Sequence, residues 1–88
     1  MQLAFTEDAW ADYLFWQETD RRMLERINDL LRDTLRHPFS GIGKPEPMKG
    51  SLKGFWSRRI NLEHRLVYRV IDRDGEQVLV VAQCRYHY

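Results

Sequence analysis

One cysteine, Cys84, is the whole thiol content of the 88 residues, so no disulfide can form within the chain. No apolar run approaches the roughly eighteen residues of a membrane span, and no group of cysteines and histidines has the spacing of a zinc site. A spanning segment and a metal-dependent activity both drop out of the reading. The first twenty residues carry neither a basic stretch nor a long apolar run of the secretory kind, so a cytoplasmic location is expected. Internal repeats, low-complexity tracts and linkers are missing too, which leaves one domain over residues 1–88. A chain this short buries a smaller fraction of its surface than a typical domain, and partners are expected to help hold it together.

What is present is a globular composition. Hydrophobic residues at 43% and aromatics at 12% exceed what a disordered chain carries, while 31% charged residues keep the surface wet. The net charge of +1 conceals an asymmetry. Residues 1–20 hold five acids and no base, whereas residues 38–69 hold seven bases (Lys44, Lys49, Lys53, Arg58, Arg59, Arg65, Arg69) against Glu46 and Glu63, a local charge of +5. That half either meets an anionic partner or is an ordinary solvated set of strand and loop charges.

Periodicity supplies the elements. Residues 2–5 read as a short strand. Thr6 is a good N-cap, with Glu7 and Asp8 in the first turn where the helix dipole favours negative charge, and Ala9, Trp10, Tyr13 and Leu14 recur at helical spacing. Asp20 caps a second helix with an apolar stripe of Met23, Leu24, Ile27, Leu30, Leu31 and Leu35, which stops before His37 and Pro38. Gly41, Gly43, Pro45 and Pro47 make 39–47 an irregular loop. Three runs of period two, 55–60, 64–72 and 77–85, then form an antiparallel meander, the last pair joined by a turn containing Asp74 and Gly75. The expected fold is α+β: two helices on one face of a mainly antiparallel four-stranded sheet, in the order β-α-α-β-β-β, with the other face partly open. Alternation puts Arg65 and Arg69 on that open face beside Val67 and Ile71, and sends Leu66, Tyr68 and Val70 under the helices. Trp10, Tyr13, Trp16 and Trp56 are assigned to packing, Cys84 to a buried strand position, and His37 and His64 receive no role.

The residues that could carry chemistry are Glu46 on the loop, Arg65 on the middle strand and His87 beside the C-terminus, with Lys49, Arg59 and Tyr88 around them. A carboxylate can take the proton of a ribose 2′-hydroxyl, arginine and lysine can stabilise charge on phosphoryl oxygens, and histidine can protonate a departing 5′-oxygen. Such chemistry requires no metal, yields a 2′,3′-cyclic phosphate and is confined to RNA. Residue types alone do not select it, because each of the three could equally be a surface charge or a terminal residue. Pro45 and Pro47 restrict the backbone around Glu46, and the run Arg85-Tyr86-His87-Tyr88 places aromatic planes beside charge, as single-stranded RNA readers do.

Five segments together resemble a known family: 16–20 (WQETD), 43–47 (GKPEP), 54–60 (GFWSRRI), 63–68 (EHRLVY) and 84–88 (CRYHY). In order and spacing, over essentially the whole chain, they are similar to the Txe/YoeB family of toxins within the RelE/ParE superfamily. The resemblance implies a RelE-like fold and cleavage of messenger RNA in the codon at the ribosomal A site, without a cofactor. It further implies Glu46 as general base, Arg65 as phosphate stabiliser, His87 as general acid, Lys49 and Arg59 as phosphate contacts, and Tyr88 as an aid to RNA positioning. The 70S ribosome, a YefM-type antitoxin and a second copy of the chain are the implied partners. The last hairpin, 72–77, looks longer than is usual in the family. The competing readings are a non-catalytic module of the same fold, directed at gyrase or serving to hold an antitoxin at an operator.

Overall fold

A computed structural model describes residues 1–86, so His87 and Tyr88 lie outside the described residues. Strand β1 (Gln2–Phe5) leads into helix α1 (Glu7–Thr19), whose N-cap Thr6 accepts the Ala9 N–H on Oγ1 at 3.1 Å. Asp20 closes α1 by donating its N–H to the Trp16 carbonyl, and opens α2 (Arg21–Arg36) by accepting the Met23 N–H on its carboxylate. A single residue serving both ends makes the helical hairpin tight. Helix α2 ends where His37 donates to the Asp33 carbonyl and Pro38 bars a further turn.

The sheet has five strands in the order β1-β5-β4-β3-β2, with β2 (Glu46–Pro47), β3 (Trp56–Arg59), β4 (Arg65–Arg73) and β5 (Glu76–Gln83) antiparallel to their neighbours and β1 parallel to β5. The expected four strands therefore become five, because the prolines do not break the pairing of Glu46 with Ser57 and Pro47 with Trp56. Met48 donates its N–H to the Phe55 carbonyl, so alternate residues on that side face β3, and the nitrogens of Pro45 and Pro47 fall on the outward side where no donor is needed. Those prolines also blunt the exposed edge.

Ala9, Trp16, Ile27, Leu30 and Leu31 of the helices pack on Leu66, Tyr68, Leu79 and Val81 of β4 and β5. Each fully buried leucine or isoleucine contributes about 1.5–3 kcal/mol, which makes this layer the main source of stability. Val67 lies on the opposite face yet is also fully buried, next to a register shift at Val67/Tyr68 that leaves Ala82 without a partner on β4. Trp10 departs from its packing assignment: it is 48% exposed and stacked on Tyr13, because β1 is the sheet edge and no strand lies beyond it to cover the ring. The last hairpin is closed by a tight turn. Arg73 pairs with Glu76 across a two-residue turn, Asp74-Gly75, whose φ values of 54° and 81° are those of a type I′ turn. No helix among the described residues is long and apolar enough to cross a membrane.

Candidate active site

Residues paired across a ladder point to the same face, so the register itself assembles the site. Glu46 pairs with Ser57, Ser57 with Val67 and Val67 with Gln83, forming one row across the face away from the helices. Arg59 pairs with Arg65 in the next row on that face. Strand spacing and rise put the Cα atoms of Glu46 and Arg65 roughly 12 Å apart, close enough for the two side chains to reach opposite sides of one phosphodiester. Glu46 and Arg59 are exposed and Arg65 is half-buried, with its Nη1 donating to the carbonyls of Asn61 (2.8 Å) and His64 (3.2 Å). Lys44 approaches Glu46 at 3.6 Å, a solvent-exposed pair of little energetic weight. Lys49 is exposed at the start of the 3-10 turn Gly50–Leu52, and the ladder assigns it to neither row.

Arg58 leaves the anion-facing set proposed from its charge. Alternation turns it to the helix side, where it is wholly buried and holds the loop that delivers Glu46. Its Nε donates to the Tyr68 hydroxyl (3.1 Å), Nη1 to Asp33 Oδ2 (2.6 Å) and the Ile42 carbonyl (3.0 Å), and Nη2 to the carbonyls of His37 (2.5 Å) and Ser40 (2.8 Å). The hydrogen bond from Arg58, followed by that from the Ile42 N–H, holds the Asp33 carboxyl below its ordinary value. Burial pushes the Tyr68 hydroxyl up, and it donates to the Pro38 carbonyl at 2.6 Å. Gly41 is required here: its φ is 117°, and a Cβ would stand 2.0 Å from Asp33 Oδ2.

The segment before His87 is held with comparable care. The Trp16 indole donates to the Cys84 carbonyl at 2.8 Å, the Cys84 N–H donates to Asp12 at 3.1 Å, and the Arg65 N–H donates to the Tyr86 carbonyl at 2.9 Å. Burial raises the Asp12 carboxyl against the hydrogen bond from Cys84, and burial pushes the Cys84 thiol up to about 12. His64, given no role from its place in a turn, is buried in a T-shaped contact with Trp16 and accepts the Tyr86 N–H on Nδ1 at 2.7 Å. No periodicity in the sequence joins residues 64 and 86, so only the fold reveals this contact. The proposed roles of His87 and Tyr88 fall outside the described residues.

Two helices covering one face of a five-stranded mixed sheet, with Glu46, Arg59 and Arg65 on the other face, define a RelE-like α+β domain. A solved YoeB/ParE toxin from Agrobacterium tumefaciens superposes with a TM-score of 0.95 at 58% identity, covering 100% of both chains. Staphylococcus aureus YoeB has been solved as a dimer (43% identity) and in a heterotetrameric complex with YefM (44%), each with a TM-score of 0.86 and covering 100% of this chain and 98% of that one. Toxin YoeB of Escherichia coli K12 is 58% identical over 88 residues, the full length of both chains. The family model for YoeB-like toxins of bacterial type II toxin-antitoxin systems matches residues 5–88, and the chain belongs to that family.

Proposed function

We propose that this toxin is a ribosome-dependent endoribonuclease that cuts messenger RNA inside the codon at the A site. The observation that carries the reading is the register: it sets the Glu46 carboxylate and the guanidinium groups of Arg59 and Arg65 in adjacent rows of one open sheet face. Glu46 takes the 2′-hydroxyl proton as the 2′-oxygen attacks phosphorus. Arg65 and Arg59, with Lys49, stabilise the negative charge that builds on the phosphoryl oxygens. His87 protonates the departing 5′-oxygen, leaving a 2′,3′-cyclic phosphate and a 5′-hydroxyl, and Tyr88 helps position the RNA. The ribosome supplies orientation, presenting the 2′-oxygen in line with the bond that breaks. The protein acts in the cytoplasm as a homodimer and is neutralised by a YefM-type antitoxin, whose acidic segment suits the basic half of the chain. The S. aureus dimer and YoeB–YefM heterotetramer support those partners.

Primer extension on a defined message, with and without programmed ribosomes, tests the reading. Cuts within the A-site codon are expected only with ribosomes, and Glu46→Ala is expected to reduce their rate by about 10²–10⁴-fold, the usual contribution of a positioned general base. A folded wild-type protein that makes no cut under either condition would favour the non-catalytic module.

A further inference from the structure

We propose that His64 is a positioning residue for the reaction, holding the C-terminal segment that ends in His87 and Tyr88 through the backbone of Tyr86. The inference rests on the nuclease reading and extends it to a residue that need not touch RNA.

The geometry begins with the acceptor. Nδ1 of His64 lies 2.7 Å from the Tyr86 nitrogen, and a ring nitrogen accepts an N–H only when it carries no proton. That hydrogen bond uses the tautomer with its hydrogen on Nε2, which faces Glu63 Oε1 at 3.5 Å. His64 is 7% exposed and makes a T-shaped contact with Trp16 at a centroid distance of 4.8 Å. Arg65, the next residue, donates its own N–H to the Tyr86 carbonyl at 2.9 Å. Both backbone groups of Tyr86 are thus taken by consecutive residues, one of which carries the guanidinium assigned to the phosphate.

The second observation is conformational. Tyr86 has φ of 65°, in the left-handed region that residues with a Cβ seldom occupy. Such a conformation persists only where its surroundings enforce it, and here the enforcing contacts are the hydrogen bond that Tyr86 donates to His64 and the one it accepts from Arg65. Without the His64 acceptor, Tyr86 is free to relax toward extended backbone, which redirects the chain one residue before His87. A displacement of about 1 Å at a reacting group can cost on the order of 10²-fold in rate.

The test compares two replacements of similar size. In His64→Asn, Oδ1 hangs on Cγ as Nδ1 does and can accept the Tyr86 N–H; His64→Leu fills the space but accepts nothing. Amide exchange by NMR on the full chain is expected to find the Tyr86 N–H protected in wild type and His64→Asn, and unprotected in His64→Leu. In A-site cleavage, His64→Leu is expected to lose about 10- to 100-fold in kcat with KM little changed, and His64→Asn to recover most of it. A merely space-filling role predicts the opposite order, since leucine suits an apolar contact with Trp16 better than asparagine does. A further variant leaves His64 intact: residues 84–88 can be joined as a synthetic peptide by ligation at Cys84, with an ester in place of the Tyr86 amide to delete the donor. The ester is expected to lower kcat as His64→Leu does, and the combination to be no worse than either change alone. Independent, multiplicative losses would overturn the proposal, as would a His64→Leu protein that cleaves as well as wild type. Failure of wild type itself to cleave A-site codons would instead refute the nuclease reading, and this extension with it.

Discussion

Replacing Arg58 with methionine keeps the buried stem and removes the guanidinium, which makes the loop's dependence on it measurable. The substitution deprives three loop carbonyls, those of His37, Ser40 and Ile42, of a donor, together with the Asp33 carboxylate and the Tyr68 hydroxyl. Each orphaned carbonyl costs about 1 kcal/mol when water can partly reach it. Arg58 is wholly buried but its partner Asp33 is partly exposed, so the three carbonyls carry the loss, about 3 kcal/mol in total. Small domains have only about 5–15 kcal/mol to lose. The midpoint of thermal unfolding should fall by about 12–24 °C, given about 4–8 °C per kcal/mol at this size. Urea unfolding of wild type and Arg58→Met at equal protein concentration reads the difference directly, the concentration being matched because any self-association shifts apparent stability. Arg58→Lys should recover little, because one ammonium cannot serve acceptors spread around a planar fork. A loss below about 1 kcal/mol for Arg58→Met would mean that the guanidinium does not hold the loop, since that is what an exposed ion pair contributes.

Three further outcomes follow from the same geometry. The Asp33 carboxyl binds its proton less tightly in the folded state than in the unfolded chain, so its stabilisation is complete above the ordinary value of 3.8 and is lost as pH falls through the lower folded value; Asp33→Asn should flatten that acid limb in pH-dependent urea titrations. With its thiol buried and pushed up to about 12, Cys84 should resist alkylation at pH 8 in the native protein and react promptly in denaturant, as followed by mass spectrometry. In a Glu46→Gln background, Arg59→Gln should weaken binding of a short single-stranded RNA and lower its log–log salt slope by about 0.7, the release expected for one phosphate contact; an unchanged slope would remove Arg59 from the phosphate-binding set.

Much of this architecture is local and was therefore legible. Thr6 and Asp20 cap helices because their side chains reach amides three residues on, and the stripe from Met23 to Leu35 repeats at the helical period, so both helices follow from near neighbours. The Asp74-Gly75 turn and the alternation of β4 are local in the same sense, and they placed Arg65 on the open face. Pairing is not local. Whether Glu46 joins a strand depends on which edge lies beside it, and two prolines in a row of five read as a loop until β3 is seen to accept the side that needs no proline donor. Charge likewise misplaces Arg58, because a count of bases cannot tell a solvated guanidinium from one that five acceptors have drawn into the core.

The class of fold, the open face and the residue types available for phosphoryl chemistry are written in local patterns, since caps, periods and turns act over a few residues. Long-range packing instead puts Glu46 and Arg65 in adjacent rows, sets Arg58 to hold the loop and brings His64 to the Tyr86 N–H. Those contacts join positions about twenty residues apart, and their partners are selected by strand register and by the demand that buried polar groups be satisfied, which no local pattern encodes.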